Sequence, residues 1–340
     1  MKSFLRRKGI SLSPKIYFVD ALGAMAYGLF ASLLVGTILN TLGQSLGIEF
    51  LSKTIWPLAQ KATGPAIAVS IAYALQAPNL ILFSITLVGI CGNELGGPMG
   101  VYIASLIAVE VAKIVSKETK IDIVITPVVT VLVGVTVATF IGPYIQKFMT
   151  GIGSIIMIAT NQKPFLMGII VSVIVGIVLT LPISSAALCM MLSLSGLAGG
   201  AATIGCSCQM IGFAVTSFKD NGLQGLVAQG LGTSMLQMPN IIKNPKVLIP
   251  PTLASAILGP LATVIFKMEN TPLGSGMGTS GLVGQIATFT AMENVPFTKL
   301  LGLIILLHII LPALVSYIIY MILKKANWIK DGDMKLNFIK

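Results

Sequence analysis

Gln209, Gln229 and Gln285 are the side chains of this 340-residue sequence best suited to recognising a neutral polar molecule, because each lies in a break of small residues within apolar text. An amide both donates and accepts, and burying it costs less than burying a carboxylate. Hydroxyls accompany the amides: Ser184 and Ser185 in LPISSAAL (181–188), Thr233 in LVAQGLGTS (226–234), and Thr279 and Ser280 in NTPLGSGMGTSGLVGQ (270–285). Gln209 closes a fourth stretch, GGAATIGCSCQ (199–209). The pattern predicts one substrate-binding cavity formed by Ser184, Ser185, Gln209, Gln229, Thr279, Ser280 and Gln285. Taken singly, each group is also able to satisfy a neighbour or a broken stretch of backbone.

Glu94 joins the candidate substrate ligands from NELGGPMG (93–100), where Pro98 opens the helix that follows. Helix N-termini offer free N–H donors and partial positive charge. Glu94 is therefore either a ligand or proton site or a capping carboxylate at the membrane edge. Glu293, beside Asn294 and Pro296, reads as a helix end, and Glu110 with Lys113 as a surface ion pair. His308 stands alone in LLHIILP as a packed or pore-facing ring. Cys91, Cys189, Cys206 and Cys208 all lie in apolar segments and read as small packing residues, with no expected metal site. No Walker loop, HExxH or Ser-His-Asp pattern appears, so neither catalytic residues nor a cofactor is expected.

The elements that must position these groups are membrane helices. Hydrophobic residues make up 55% of the chain and charged ones 10%, with a mean hydropathy of +0.94. A water-soluble globule of that composition could not cover its own apolar surface. Runs such as 17–42, 121–144 and 303–323 meet the roughly 20 apolar residues a spanning helix needs. The expected fold is an all-α polytopic membrane protein with roughly ten crossing helices or half-helices, interrupted by re-entrant Gly/Pro-rich breaks.

The formal charge of +11 comes from lysines and arginines gathered at the ends and in short loops, which fits membrane topology and not a nucleic-acid surface. Lys2, Arg6, Arg7, Lys8 and Lys15 precede the first span, and Lys324, Lys325, Lys330, Lys335 and Lys340 follow the last. Both termini are thus expected in the cytoplasm. Lys113, Lys117 and Lys120 mark another inside loop. The chain divides into a basic amino terminus (1–15), a membrane domain (16–325) and a tail (326–340) that dangles or docks. Stretches 49–62 and 146–162 are amphipathic enough to lie flat at the outer interface. An echo between 125–140 and 249–266, each a proline-start helix after a glycine-rich break, fits an internal duplication as well as it fits chance.

The segment GGPMGVYIASLIAVEVAKIVSKETKIDIVITPVVTVLVGVTVATFIGPYI (96–145) and NPKVLIP (244–250) resemble the membrane component, IIC, of the phosphoenolpyruvate-dependent sugar phosphotransferase system, nearest its fructose and mannitol branch. The likeness runs from about Gly89 to Phe266. The family's acidic, lysine and histidine pocket elements are replaced here: Gln229-Gly230-Leu231-Gly232 stands for Glu-Gly-Ala-Ile, residues 178–185 keep Pro182 alone, and Pro272-Leu273-Gly274-Ser275 lacks the histidine. The resemblance implies a homodimeric permease of the cell membrane that carries a small neutral, sugar-like solute by alternating access. It also implies that a separate IIB phosphocarrier phosphorylates that solute on release. A non-transporting sensor that binds an apolar or lipid-like ligand on the same scaffold is the alternative reading.

Overall fold

The computed structural model describes residues 2–10 and 13–336. Residues 337–340 of the tail lie outside them. Hydrocarbon offers backbone N–H and C=O groups no partner, so apolar runs must satisfy those groups internally, and among the described residues there is no strand. The chain forms two compact units, 1–149 and 150–340.

The first unit contains α1 (Ile16–Gln44), α2 (Trp56–Ala74), α3 (Asn79–Val115) and the start of α4 (Asp122–Thr160), which continues into the second. The helix α3 is folded on itself. At Gly97 the backbone takes φ 58°, ψ −156°. A Cβ on Gly100 would lie 2.5 Å from the Gly92 carbonyl oxygen, although eight residues span about 12 Å along a straight helix. Residues 79–96 and 98–115 are therefore two legs of a hairpin, each about 27 Å long and near the thickness of a bilayer core. The amino-terminal leg packs on α2 at Gly64 and Gly89, where an added Cβ on Gly64 would come within 2.2 Å of the Gly89 oxygen.

Both open ends of the hairpin lie together. Lys113 donates to the carbonyls of Leu75 (2.5 Å) and Gly9 (3.2 Å), while Lys8 reaches the Ser116 carbonyl and Arg7 the Glu118 carboxylate. The two basic segments expected on the inside thus share one end of this unit. Lys113 is not the surface partner of Glu110 that the spacing predicts: its side chain is 2% exposed, with Glu110 at 3.6 Å. Burial draws the ammonium onto carbonyls left unpaired at helix ends, which bind cations well.

The dihedrals at Gly97 belong to a region open essentially to glycine alone. No atom lies within 4 Å of a Cβ added there, so Gly97→Ala isolates the backbone cost. It is expected to destabilise the protein by about 1–3 kcal/mol, measurable as a lowered thermal midpoint in detergent.

The second unit contains α5 (Pro164–Thr180), α6 (Ser185–Met191), α7 (Gly196–Thr216), α8 (Phe218–Val227), α9 (Pro245–Ile265), α10 (Val283–Ala291) and α11 (Phe297–Lys325). Glycines bring α5 against α7 and α9: a Cβ on Gly205 would sit 1.9 Å from the Ser172 carbonyl, and one on Gly259 2.2 Å from that of Gly168. Small residues permit this approach, and van der Waals packing and hydrogen bonding between helices drive it. Ile204, Leu258, Met268, Leu300 and Leu307 form a buried core at the end where α7 and α11 begin. Phe213, Val247, Tyr320, Ile329 and Met334 form another toward the tail.

Two segments enter this unit from opposite ends and turn back inside it. The first runs from 218 to 243. It leaves α7 at the tail end through Gly222, which has the dihedrals of Gly97, reaches its inner tip near Gly230, and returns to the tail end, where Asn221 and Gln237 both donate to the Met334 carbonyl (2.8 and 3.0 Å). The second runs from 266 to 296. It begins where Asn270 pairs with Gly196 through two backbone bonds, and closes where Phe289 stacks on Phe297.

Among the described residues six helices, α1, α3, α4, α7, α9 and α11, are long and apolar enough to cross a membrane, and α5 is a shorter apolar helix. The expected total of roughly ten counted half-helices such as α8 and α10 together with full crossings, so the two numbers count different things. The stretches 49–62 and 146–162 do not form separate elements: the first leads without a break into α2, and the second is largely the end of α4. The echoed segments 125–140 and 249–266 fall in corresponding places. Each opens a helix with a proline near its start and each comes after a reversal at a glycine of φ 58°, ψ −156°; the leg before that glycine packs through glycines on α2 in the first case and, as α7, on α5 in the second.

The tail docks. Asp331 pairs with Lys219 and Lys324. Asp220 accepts from the amides of Gly332 and Met334, and Asn244 donates to the Trp328 carbonyl and to Asp333. Ile329 and Met334 are each 1% exposed, so apolar burial as well as hydrogen bonding fixes it.

Candidate substrate site

The inner tips of the re-entrant segments meet within the second unit. Thr279 donates to the Gly230 carbonyl at 2.6 Å and lies 3.5 Å from the Met210 sulfur. Met210 stands about 21 Å along α7 from Gly196, so the meeting point is well inside the helix bundle. A third break ends there too: Ser185 donates to the Gly276 carbonyl at 2.6 Å, while Ser184 caps α6 by accepting from the Ala187 amide. The fourth joins through Gly278, whose added Cβ would lie 2.6 Å from that of Cys206. All four small-residue breaks of the sequence thus come together.

Gln209 is fully buried on α7. Its Nε2 donates to Thr252 at 3.1 Å, and its Oε1 lies 3.2 Å from the Thr180 hydroxyl, which is 2.8 Å from that of Ser234. Gln285 places its Nε2 3.1 Å from Nδ1 of His308, itself 1% exposed. With the amide donating, Nδ1 accepts, and the neutral ring carries its proton on Nε2. Both Gln229 and His308 lie on widened turns of helix, Ala228–Gly232 and Ile305–Ile310, as do four other stretches among the described residues.

Gln229 is buried at the tail side of the meeting point. It donates to Ser217 (2.8 Å) and to the Gly225 carbonyl (2.9 Å), and accepts from Gln237 (2.8 Å), which in turn accepts from Asn240. This network is closed onto the tail through the carbonyls of Met334 and Lys335. Gln229→Ala is therefore expected to cost about 1–3 kcal/mol of stability by leaving the Gln237 amide partly unpaired, read as a lowered thermal midpoint.

Of the nine buried side-chain polar atoms that lack a hydrogen-bond partner among the described residues, three belong to this region: Oγ of Ser207, Oγ of Ser280 and Oε1 of Gln285. They cluster around the 278–285 turn, since Gly278 lies against the Ser207 amide. Each such atom costs about 1–3 kcal/mol. Glu94 belongs to the first unit, exposed on α3 three residues before the Gly97 turn. Among the described residues no group of three or more His, Cys, Asp or Glu side chains is placed to hold a metal ion.

Sequence reasoning missed Asn270. Its Nδ2 lies within 2.7 Å of the Thr203 hydroxyl, 2.9 Å of the Gly284 carbonyl and 3.1 Å of the Thr288 hydroxyl, and its Oδ1 accepts from the Thr271 amide. One side chain thereby fastens both legs of the second re-entrant segment to α7. The signal was its position directly before Thr-Pro at a helix start, where asparagine organises turns. Thr180, Ser234 and Thr252 were also missed, because each reads as an ordinary residue of an apolar run.

The meeting point thus offers amides, hydroxyls and backbone carbonyls with His308 as the one titratable ring hydrogen-bonded into it. Such a surface matches a neutral polyhydroxy molecule better than an ion. Comparison with curated proteins and with solved structures gives no significant match. The family described as "Phosphotransferase system, EIIC" matches residues 19–336, a span that takes in the α3 hairpin, both re-entrant segments and the docked tail. The chain therefore belongs to the EIIC family of the phosphotransferase system, the membrane-embedded transport components that work with IIB proteins.

Proposed function

We propose that this chain carries a small neutral sugar or sugar alcohol across the cell membrane by alternating access, through the meeting point of its two re-entrant segments. A separate IIB protein would phosphorylate the solute on release. The observation that carries the reading is the contact of two tips that enter from opposite ends, Thr279 against Gly230, amid uncharged amides and hydroxyls. Segments of that kind give each side of the membrane its own gate to one central site. Ser184, Ser185, Gln209, Thr279, Ser280 and Gln285 line the site, and Gln229 braces it from the tail side through its own network. Ser207, Ser280 and Gln285 hold the unpaired atoms, and sugar hydroxyls would satisfy them when the 278–285 turn moves.

The basic amino terminus and the Lys113–Lys120 loop share one end of the first unit, which supports a cytoplasmic position for the amino terminus. The matched order of segments supports the fructose and mannitol branch, and a homodimer is the assembly it implies. Loss of that branch's acidic and histidine elements argues for altered selectivity within it.

The test is reconstitution. Proteoliposomes holding the chain, supplied with phosphoenolpyruvate, the general phosphocarriers and candidate IIA and IIB proteins, are incubated with a panel of labelled monosaccharides and sugar alcohols. Accumulation of one class as its phosphate ester, dependent on IIB, is expected. Uptake of none of them, with a folded protein, defeats the proposal.

A further inference from the structure

A groove of about 490 Å³ lies between α7, α8 and α11 at the tail end of the second unit. Val215, Phe218, Leu226, Tyr317 and Met321 make its wall apolar. Phe218, Tyr317 and Met321 are 48%, 44% and 38% exposed, on or beside helices that are long and apolar enough to cross a bilayer, so the wall faces acyl chains. Two cations also line it, Lys219 and Lys324. Their ammonium groups converge on the two oxygens of one carboxylate, Asp331.

That convergence has two features of an anion site. Two ammonium groups face one carboxylate, while the neighbouring Asp220 is engaged by the Gly332 and Met334 amides. The carboxylate belongs to the docked tail and not to a helix, so it can leave without unravelling the groove. A phosphodiester carries one negative charge and oxygens that accept from both lysines, as Asp331 does. Basic pockets between membrane helices are places where anionic headgroups bind, and aromatic side chains such as Tyr317 favour the same interfacial depth.

We propose that this groove binds one anionic phospholipid, its phosphate between Lys219 and Lys324 and one acyl chain along the apolar wall. Asp331 holds the headgroup's place when the lipid is absent. Lipid and tail therefore compete, and the lipid composition of the leaflet sets how firmly the tail is docked on the 218–243 segment. This goes beyond the transport reading and does not depend on which sugar is carried.

The test uses the full chain, delipidated in detergent and titrated with phosphatidylglycerol or with phosphatidylcholine of the same acyl chains, bound lipid being counted by native mass spectrometry. Phosphatidylglycerol is expected to bind at least about fivefold more tightly, the effect of one favourable charge near a membrane surface. K219Q with K324Q should bring it down to the phosphatidylcholine level. D331N, which removes the competing carboxylate, should tighten it by about the same factor. Equal binding of the two lipids, or an unchanged D331N, overturns the proposal. Displacement of phosphatidylglycerol by millimolar glycerol phosphate also overturns it, since that would reveal an anion site in which the apolar wall plays no part.

Discussion

Gly205→Leu is expected to abolish recovery of folded protein. The Cβ of any side chain at this position would stand 1.9 Å from the Ser172 carbonyl oxygen and 2.6 Å from its carbon. The obstacle is backbone, so no change of rotamer relieves it. Helices α5 and α7 would have to separate by about 1.5 Å to restore ordinary contact distance. The separation would disturb the bond from Ser172 to the Ser255 carbonyl (2.8 Å) and the Thr180–Gln209–Ser234 cluster next to it. Overpacking of a close interface typically costs about 1–3 kcal/mol, and a backbone clash at the centre of three helices exceeds that range. Size-exclusion chromatography of the detergent-purified variant should show aggregate in place of a monodisperse peak. The control is Gly302→Ala on α11, where an added Cβ meets no atom within 4 Å. That change should raise stability by about 0.5–1 kcal/mol. A monodisperse, normally stable Gly205→Leu protein would refute the close α5–α7 approach.

Ser280→Ala should make the protein more stable and a worse transporter, a pair of effects that a purely structural serine does not produce. Its hydroxyl is buried and unpartnered, so deletion removes a desolvation cost of about 1–3 kcal/mol from the sugar-free state. If the hydroxyl meets a sugar hydroxyl during transport, the same deletion lowers apparent affinity for the transported sugar about tenfold, the effect of one lost hydrogen bond. Thr279→Val offers the contrast. Its hydroxyl already holds the Gly230 carbonyl, so the variant should lose about 1 kcal/mol of stability. Thermal unfolding without sugar and the concentration dependence of uptake separate the two outcomes. An Ser280→Ala protein with raised stability and unchanged uptake would remove this residue from the site.

Much of the architecture was legible in the text of the chain. Apolar runs with charges confined to their ends specify helices in a membrane, because hydrocarbon leaves peptide groups no other partner. The same physics marks the four glycine- and serine-rich breaks as places that must be shielded by protein, and the fold does gather them at Thr279, Gly230, Ser185 and Gly278. Lysine placement likewise anticipated that the amino terminus and the Lys113 loop share an end. The reversal of α3 at Gly97 was less legible. GGP signals a break, but whether a break kinks a helix or turns it back depends on a φ of 58° that sequence does not state.

What the sequence determined alone is the class of molecule: all-helical, embedded in a membrane, interrupted at chosen points by small and polar residues, and equipped with amides in those interruptions. Solvent preference is a sum over residues, so composition and periodicity suffice to read it. What only tertiary structure decided is the use of each polar group. Gln229 is occupied by Ser217, Gly225 and Gln237, Lys113 by two carbonyls, and Asn270 by three acceptors, whereas Ser207, Ser280 and Gln285 keep an atom unpaired. Hydrogen bonding acts over about 3 Å and along a direction. Partnership is therefore a property of positions brought together from distant parts of the chain, and no local stretch of sequence encodes it.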